Sequence, residues 1–240
     1  MGACAAKQAA EKMREVIKKK GSVRILLSTG ESQFPFFSAI AKEDVDWSCV
    51  EMFHLDEYVG ISPDHPASFN KYLRERFIDV VNPGKYHLID GRRAPDETIA
   101  ELTALLDERR VDLGLIGIGE NGHIAFNDPP ADFSDSRAYK VVTLSDTCIE
   151  QQLHEGWFEN ADAAFKQAIS MTCQKIMDCE SIISVVPYAV KAKAIHDTLT
   201  CELTENVPAT LLKSHNDVTV YCDTESSITT PPDVLATFGA

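Results

Sequence analysis

Short apolar runs alternate with longer helical stretches along most of this chain. Residues 23–27, 111–116 and 181–186 are rich in valine, isoleucine and leucine, and each run has the length of a buried strand. Such alternation predicts an α/β fold in which a mostly parallel sheet carries helices on both faces. Further strands are expected over 50–55, 139–143 and 218–221, and helices over 5–19, 66–78, 94–110 and 188–199.

The chain has no internal repeat, low-complexity segment or linker that would divide its 240 residues. This length fits one large domain with a sizeable core. We therefore predict a single domain over residues 1–240, with a loosely held tail from about residue 223. No apolar run approaches the roughly 20 residues of a membrane helix, and the first 20 residues lack the apolar core of a signal peptide.

Charge and cysteine usage exclude several classes of protein. Lys and Arg number 23 against 37 Asp and Glu, which gives a net charge of −14. A chain this acidic, without a basic cluster, is a poor binder of nucleic acid or of an anionic membrane. Its seven cysteines form no C-x-x-C pair, which favours reduced thiols over disulfides or a zinc site. We expect a cytoplasmic protein that binds no metal.

Residues 28–32, Ser-Thr-Gly-Glu-Ser (the 28–32 loop), join the first strand to a helix. Backbone N–H groups and hydroxyls in such a turn can cradle a phosphate, and Ser28, Thr29, Gly30 and Ser32 are the candidates. The lysine-containing nucleotide P-loop pattern is absent. Glu31 is expected to point away from a bound anion. The alternative interpretation is an ordinary capped helix start.

Asp56 follows the predicted strand 50–55, at the edge where a parallel sheet opens to its ligands. A carboxylate placed there can act as a general base, particularly where partial burial raises its pKa. Glu57 should point the opposite way, because successive side chains of a strand alternate. The alternative is that both acids are solvated loop residues.

Residues 117–129 (the glycine loop) contain glycines in G-x-G-x-x-G spacing after a strand. We reject a dinucleotide fingerprint, because that motif must open a helix and this segment runs into Asn-Asp-Pro-Pro. The loop instead brings Asn121, His123 and Asp128 close together. A histidine beside a carboxylate and an amide is suited to proton transfer near neutral pH, although a structural histidine is the alternative.

Two lysines, Lys166 and Lys191, could bring positive charge to an anionic ligand. Lys191 lies near the start of the predicted helix 188–199, and Lys166 immediately precedes an apolar segment. For any single lysine, a solvated surface position is the alternative.

Three motifs together resemble the glucosamine-6-phosphate deaminase (isomerase) family, which is related to the 6-phosphogluconolactonase family. They are Phe-His-Leu-Asp-Glu-Tyr-Val-Gly at 53–60, His-Pro-Ala-Ser-Phe at 65–69 and the glycine loop. The resemblance runs in consistent order from about residue 22 to about residue 222. It implies a Rossmann-like domain without metal or organic cofactor, which converts glucosamine 6-phosphate and water into fructose 6-phosphate and ammonia.

The resemblance also implies roles for individual residues. Asp56 falls on the base that moves a proton between C2 and C1, His123 on the acid/base of ring opening, and Asp128 on its acidic partner. Asn121 falls on the remaining ring-opening position. The implied partner is a small amino-sugar phosphate, and a homo-oligomer is compatible with the resemblance. The implied phosphate contacts are Ser28, Thr29, Gly30, Ser32, Lys191 and, nearby, Lys166.

The chain departs from the family pattern at several points. Some relatives have Asp in place of Asn121, many have Glu in place of Asp128, and residues 172–177 lack a glycine-rich segment. Two alternatives remain open. A related sugar-phosphate hydrolase typically continues from Gly-His into a Thr-Ala-Ser-type sequence, whereas this chain has Ile-Ala-Phe-Asn. A non-catalytic sugar-phosphate sensor would not need Asp56, His123 and Asp128 together.

Overall fold

The computed structural model contains a six-stranded sheet in which every pair of neighbouring strands is parallel. The structure describes residues 1–146 and 165–237 and, between them, residues 149, 150, 153, 156, 158 and 160. The central strands are buried on both faces, as their continuous apolar sequences predict. In spatial order the strands are β4 (Lys85–His87), β2 (Val50–His54), β1 (Val23–Leu27), β5 (Leu113–Ile116), β8 (Ser181–Val186) and β9 (Val218–Cys222).

A second, three-stranded antiparallel sheet lies beside the first and was not expected from the sequence. It consists, in spatial order, of β3 (Asp56–Tyr58), β7 (Gln167–Met171) and β6 (Tyr139–Thr143). The chain passes between the sheets at Leu55. Its N–H donates to Leu27 of β1 (3.2 Å), and its carbonyl accepts from Met171 of β7 (2.8 Å). β3, whose first residue is Asp56, therefore begins at the junction of the two sheets.

Helices cover both faces of the parallel sheet, which confirms the predicted α/β architecture. α1 (Gly2–Lys20) packs on one face through four fully buried alanines, whose small side chains permit close approach. It ends at Gly21, where φ is 81°. α5 (Pro95–Glu108) and α7 (Ala192–Thr200) pack on the other face. The helices are α1 (Gly2–Lys20), α2 (Phe34–Ile40), α3 (Phe69–Leu73), α4 (Asp79–Val81), α5 (Pro95–Glu108), α6 (Cys173–Met177), α7 (Ala192–Thr200) and α8 (Pro232–Thr237).

Two predicted helices differ from the structure in detail. The stretch predicted over 66–78 begins at the Ser68 cap and runs from α3 through a π-helical turn (Arg74–Ile78) into α4. The stretch predicted over 188–199 begins as a 3-10 turn (Ala189–Lys191) before α7. No helix in the described part of the chain is long and apolar enough to cross a bilayer.

The residues after β9 fold back on α7 as a series of turns. Thr229 donates its hydroxyl to the carbonyl of Ala192 (3.0 Å), and the side chains of Ser226 and Thr230 are buried. α8 follows, and residues 238–240 lie outside the described residues. The predicted single domain with a loosely held tail stays a prediction.

A buried ionic network lies at the amino ends of the parallel strands, away from their ligand-binding edge. Arg24 of β1 donates to Glu51 of β2 (2.7 Å) and to the carbonyls of Leu105 and Arg109 at the end of α5 (2.8 and 2.6 Å). The Arg24 backbone N–H donates to the buried carboxylate of Asp112 (2.6 Å). The network therefore joins two central strands and a helix through one side chain.

Replacing Arg24 by Met should lower the free energy of unfolding by about 3 kcal/mol, because Glu51 and two carbonyls lose their buried donor. Arg93→Met is the matched control, since the Arg93–Glu101 pair is exposed on both sides and should leave the free energy of unfolding almost unchanged. Urea unfolding followed by circular dichroism measures both variants. Equal losses in the two variants would contradict a special role for the buried network.

Candidate active site

The carboxyl ends of the parallel strands open onto a cleft of about 860 Å³, including its open mouth. Its walls come from the loops after β1 and β5, the start of β3 and the 3-10 turn after β8. Ser28, Asp56, His123 and Lys191 all line this cleft. The edge of the sheet that the sequence predicts as the binding edge therefore carries residues from four separate motifs.

The 28–32 loop turns at Gly30, whose φ of 109° suits glycine and strains other residues. Tyr72 of α3 donates its hydroxyl to the Gly30 carbonyl (2.7 Å), and the Gln33 amide donates to Val185 of β8 (2.9 Å). These two bonds hold the loop from both sides. The Ser28 hydroxyl is buried and has no hydrogen-bond partner within the described residues, so it is available to a ligand.

The expectation that Glu31 points away from a bound anion stays a prediction. Glu31 is exposed but forms part of the cleft wall. In the 3-10 turn Glu31–Gln33, the Gln33 side chain takes the buried side beneath the loop, which leaves Glu31 at the rim.

Lys191 reaches the cleft from the 3-10 turn after β8 and is only 6% exposed, which is rare for a lysine. The turn begins at Tyr188, whose φ of 79° is strained for a bulky residue. The Tyr188 N–H donates to the Asp223 carboxylate (3.1 Å), which holds this conformation. Lys166, by contrast, is exposed and does not line the cleft. Its predicted phosphate contact stays a prediction.

Asp56 and Glu57 point in opposite directions, as the alternation along a strand predicts. Asp56 faces the cleft and is 7% exposed, whereas Glu57 is fully buried at the start of α3. Neither acid is a solvated loop residue, which excludes that alternative. Glu57 accepts four hydrogen bonds, from Ser68 Oγ (2.8 Å) and from the backbone N–H groups of Asn70 (2.8 Å), Tyr58 (3.0 Å) and Phe69 (3.3 Å).

Burial raises the pKa of both carboxyls. Desolvation, with a smaller contribution from the charge of Glu57, raises the pKa of Asp56 to about 8. Desolvation also raises the pKa of Glu57 to about 7, although its four donors oppose the shift. A carboxyl that titrates near neutral pH can both accept and return a proton.

The glycine loop does not open a helix, which agrees with our rejection of a dinucleotide fingerprint. The loop closes on itself, since Gly119 donates its N–H to the carbonyl of His123 (2.9 Å). Asn127 fastens its far end, donating to the carbonyls of Ile124 and Met171 (2.8 Å each). The loop thus holds His123 on a short, closed segment tied to the second sheet.

Asn121 and Asp128 both contact Nδ1 of His123. The Asn121 Oδ1 lies 2.7 Å from Nδ1, and the Asp128 Oδ1 lies 3.3 Å from it. The Asn121 amide nitrogen donates to Asp128 (3.2 Å), which fixes the orientation of the amide. Because both partners of Nδ1 are acceptors, Nδ1 carries the proton and Nε2 is the basic nitrogen.

Asp128 is held in its ionised form. Burial alone would raise its pKa, but hydrogen bonds with His123, Ser145 and Asn121 outweigh that effect and hold the pKa well below its usual range. The Ser145 hydroxyl donates to Asp128 at 2.6 Å. An ionised carboxylate beside Nδ1 stabilises the histidine when Nε2 takes up a proton.

Gly119 makes room for the imidazole of His123. A methyl group on Gly119 would overlap the ring, so the ring lies directly against the loop backbone. A smaller constraint applies at Gly117, where a methyl group would lie 3.0 Å from the Gln33 amide nitrogen. The glycine spacing therefore serves side-chain packing within the cleft.

The structure gathers most of the predicted site in one place. Ser28, Thr29, Gly30, Ser32, Asp56, His123 and Lys191 line the cleft, and Asn121 and Asp128 stand behind His123. Sequence reasoning missed Gln33, Tyr72 and Ser145, which form no motif because they act through tertiary contacts. Within the described ranges, no three His, Cys, Asp or Glu side chains are grouped as a metal site requires.

Comparison with known proteins finds two glucosamine-6-phosphate deaminases that are similar to this chain. A glucosamine-6-phosphate deaminase of Streptococcus pneumoniae serotype 4 is 36% identical over 218 residues, covering 88% of this chain and 91% of that protein. A solved monomeric glucosamine-6-phosphate deaminase superposes with a TM-score of 0.86 at 27% identity, covering 95% of this chain and 94% of its own.

More distant structures share the fold alone. A 6-phosphogluconolactonase from Thermotoga maritima superposes with a TM-score of 0.74 at 14% identity, covering 90% of this chain and 92% of its own. The family model described as glucosamine-6-phosphate isomerases/6-phosphogluconolactonase matches residues 1–221. The chain therefore belongs to the glucosamine-6-phosphate isomerase/6-phosphogluconolactonase family.

Proposed function

We propose that this chain converts glucosamine 6-phosphate and water into fructose 6-phosphate and ammonia. One observation carries the proposal: a single cleft contains a carboxyl that titrates near neutral pH, Asp56, together with a histidine backed by an ionised Asp128. Relatives named glucosamine-6-phosphate deaminase, 34% and 36% identical over most of the chain, support the same reaction.

The non-reacting phosphate anchors the sugar at the 28–32 loop. The free Ser28 hydroxyl, Thr29, Ser32 and the backbone at Gly30 supply hydrogen-bond donors, and Lys191 supplies positive charge. Binding energy from this end of the substrate fixes the reacting carbons against the catalytic side chains.

His123 catalyses the opening of the sugar ring. Nε2 takes the proton from the O1 hydroxyl and returns it to the ring oxygen, which breaks the C1–O5 bond and leaves an open-chain aldehyde. Asn121 and Asp128 hold Nδ1 protonated, and the charge of Asp128 stabilises the imidazolium formed in between.

Asp56 catalyses the isomerisation, and its carboxyl must be ionised before it can accept the first proton. Its carboxylate removes the proton from C2 and returns it to C1, while one amine proton passes to O1, so that the C1 aldehyde becomes an alcohol and the amine becomes a C2 imine. Water then adds to the imine carbon, and ammonia leaves as the C2 ketone forms. The sum is one water consumed and one ammonia released for each sugar.

The second candidate is hydrolysis of a sugar-phosphate lactone, favoured by the fold shared with 6-phosphogluconolactonases. Lactone hydrolysis moves no proton between neighbouring carbons, so it would not require the proton transfer assigned to Asp56. A non-catalytic sensor would likewise make no use of the acid/base set. The deaminase therefore accounts for more of the cleft than either alternative.

The test is to incubate the purified protein with glucosamine 6-phosphate and measure both products by coupled assays. We expect ammonia and fructose 6-phosphate in equal amounts. Hydrolysis of 6-phosphogluconolactone without ammonia release would replace the deaminase with the hydrolase. Binding of sugar phosphates without either reaction would favour the sensor.

Lys191→Ala should raise the KM for glucosamine 6-phosphate by about tenfold or more and leave kcat within a few-fold, because a phosphate contact contributes to binding throughout the reaction. Lys193→Ala is the control, since Lys193 is exposed and pairs with Asp197. It should change neither constant. A fall in kcat at constant KM for Lys191→Ala would place this lysine at the reacting carbons instead.

We also infer a cytoplasmic location. The cysteines in the described part of the chain, six in number, are all free thiols, which suits a reducing compartment. The substrate is proposed to be a small molecule, with no role for nucleic acid or a membrane. A homo-oligomer stays a prediction, and the monomeric relative is a precedent for activity without one.

A further inference from the structure

We propose that Glu120 recognises the positively charged amine at C2 of the substrate, and so selects amino-sugar phosphates over sugar phosphates that carry a hydroxyl there. This inference rests on the proposed function and assigns one residue of the same cleft to substrate selection.

The glycine loop fixes where Glu120 lies. It starts at Gly117, beside Gln33 of the phosphate end, and by Gly119 it has reached the ring of His123. Glu120 is the next residue and lines the cleft. The turn around it is closed by the bond from Gly122 N–H to the Gly119 carbonyl (3.1 Å). Glu120 is thus held at the His123 end of the cleft.

The chemistry places the substrate amine at the same end. His123 acts on O1 and the ring oxygen, and the amine is attached at C2, one bond from C1. The phosphate lies at the other end, with the 28–32 loop and Lys191. An acidic residue held at the His123 end of the cleft is therefore well placed to meet the amine.

The charges of the cleft support this assignment. Glu120 is half-buried, and in the described part of the chain its carboxylate has neither a hydrogen bond nor an ion pair. An unpaired carboxylate in a cleft that binds a phosphate opposes binding, unless the ligand itself brings a positive charge. Asp128 is already paired with His123, and Asp56 exchanges its proton with the substrate carbons during the proposed reaction. Neither supplies the fixed negative charge that an ammonium group needs.

The test compares two open-chain sugar-alcohol 6-phosphates, one with an amine at C2 and one with a hydroxyl, by calorimetry. Neither ligand can be deaminated, so binding is measured without turnover. For Glu120→Gln, affinity for the amine ligand should fall about tenfold, while affinity for the hydroxyl ligand should stay within about twofold or improve. Glu31→Gln is the matched control, because Glu31 lines the cleft from within the 28–32 loop, at the phosphate end. It should change the affinity for both ligands by the same factor.

A Glu120→Gln variant that weakens both ligands equally, or neither, overturns the inference. Thermal unfolding of each variant shows that the fold is intact. Failure of the proposed function appears separately, as absence of ammonia release by the wild-type protein, and the comparison of the two ligands remains valid in that case.

Discussion

Asp56→Asn should lower kcat for ammonia release by about 10³- to 10⁴-fold, the range that general acid–base catalysis contributes. The amide has the size of the carboxyl but cannot carry a proton from C2 to C1. The phosphate contacts are untouched, so affinity for a sugar-alcohol 6-phosphate should stay measurable. In the wild-type protein, kcat/KM should rise with pH through a pKa of about 8, as Asp56 ionises.

The same substitution should make the protein more stable at alkaline pH. The pKa of Asp56 is about 8 in the folded protein and near 4 in an unfolded chain, so the folded state binds the extra proton between these values. The resulting stabilisation is complete below the unfolded pKa and is lost as pH rises through the folded pKa. Asn cannot ionise, so its advantage over Asp should be negligible at acid pH and should grow as pH rises from about 4 to about 8.

Glu57→Gln is the comparison that separates the two acids. Glu57 accepts four hydrogen bonds, and a Gln amide group would face N–H donors with its own N–H, so this variant should be destabilised. Kinetics together with thermal unfolding at acid and alkaline pH checks both variants. Normal turnover in Asp56→Asn would remove this residue from the proton transfer.

Gly119→Ala should lower kcat by about 10²- to 10³-fold, because the added methyl group displaces the ring of His123. The displaced imidazole would lose its contacts with Asn121 and Asp128, and Nε2 would no longer face the ring oxygen. The loop is partly open to the cleft, so the ring can move aside without unfolding the core. We expect a Tm within a few degrees of the wild type.

The loss of kcat in Gly119→Ala is compared with the loss in His123→Gln. If Gly119 acts only by positioning His123, the Gly119→Ala/His123→Gln double variant should be no slower than His123→Gln alone. Additive losses would mean that Gly119 has a separate role in the cleft. A wild-type rate in Gly119→Ala would show that the ring position is not critical for ring opening.

The parallel sheet was predictable because each of its central strands, such as β1 and β8, is a continuous apolar run in the sequence. The second sheet was not, because its pairing joins distant parts of the chain. Asp56 of β3 faces Ser170 of β7, and β3 is only three residues long. A strand this short carries no recognisable periodicity of its own. Similarly, β4 is a short edge strand with exposed side chains.

The residues of the candidate site likewise divide into those that the sequence could identify and those that it could not. Asp56 and His123 could be singled out because strand ends and glycine turns mark the ligand edge of a parallel sheet. The two lysines could not be separated by sequence. Lys191 is buried in the cleft and Lys166 is exposed, and this difference follows from the turn held by Asp223. Tyr72 was beyond prediction for the same reason, since its bond to Gly30 depends on how α3 packs.

Helix α3 touches both ends of the cleft and so sets the length of ligand that fits. Its Tyr72 holds Gly30 of the 28–32 loop, and its first turn holds Glu57, the neighbour of Asp56. The separation between anchor and base is therefore a property of one short rigid element. A sugar phosphate with one carbon more or fewer would shift C2 by about 1.5 Å relative to Asp56. A displacement of about 1 Å can lower a rate about 10²-fold, so we expect the packing of α3 to select against such sugars although α3 does not contact the extra carbon.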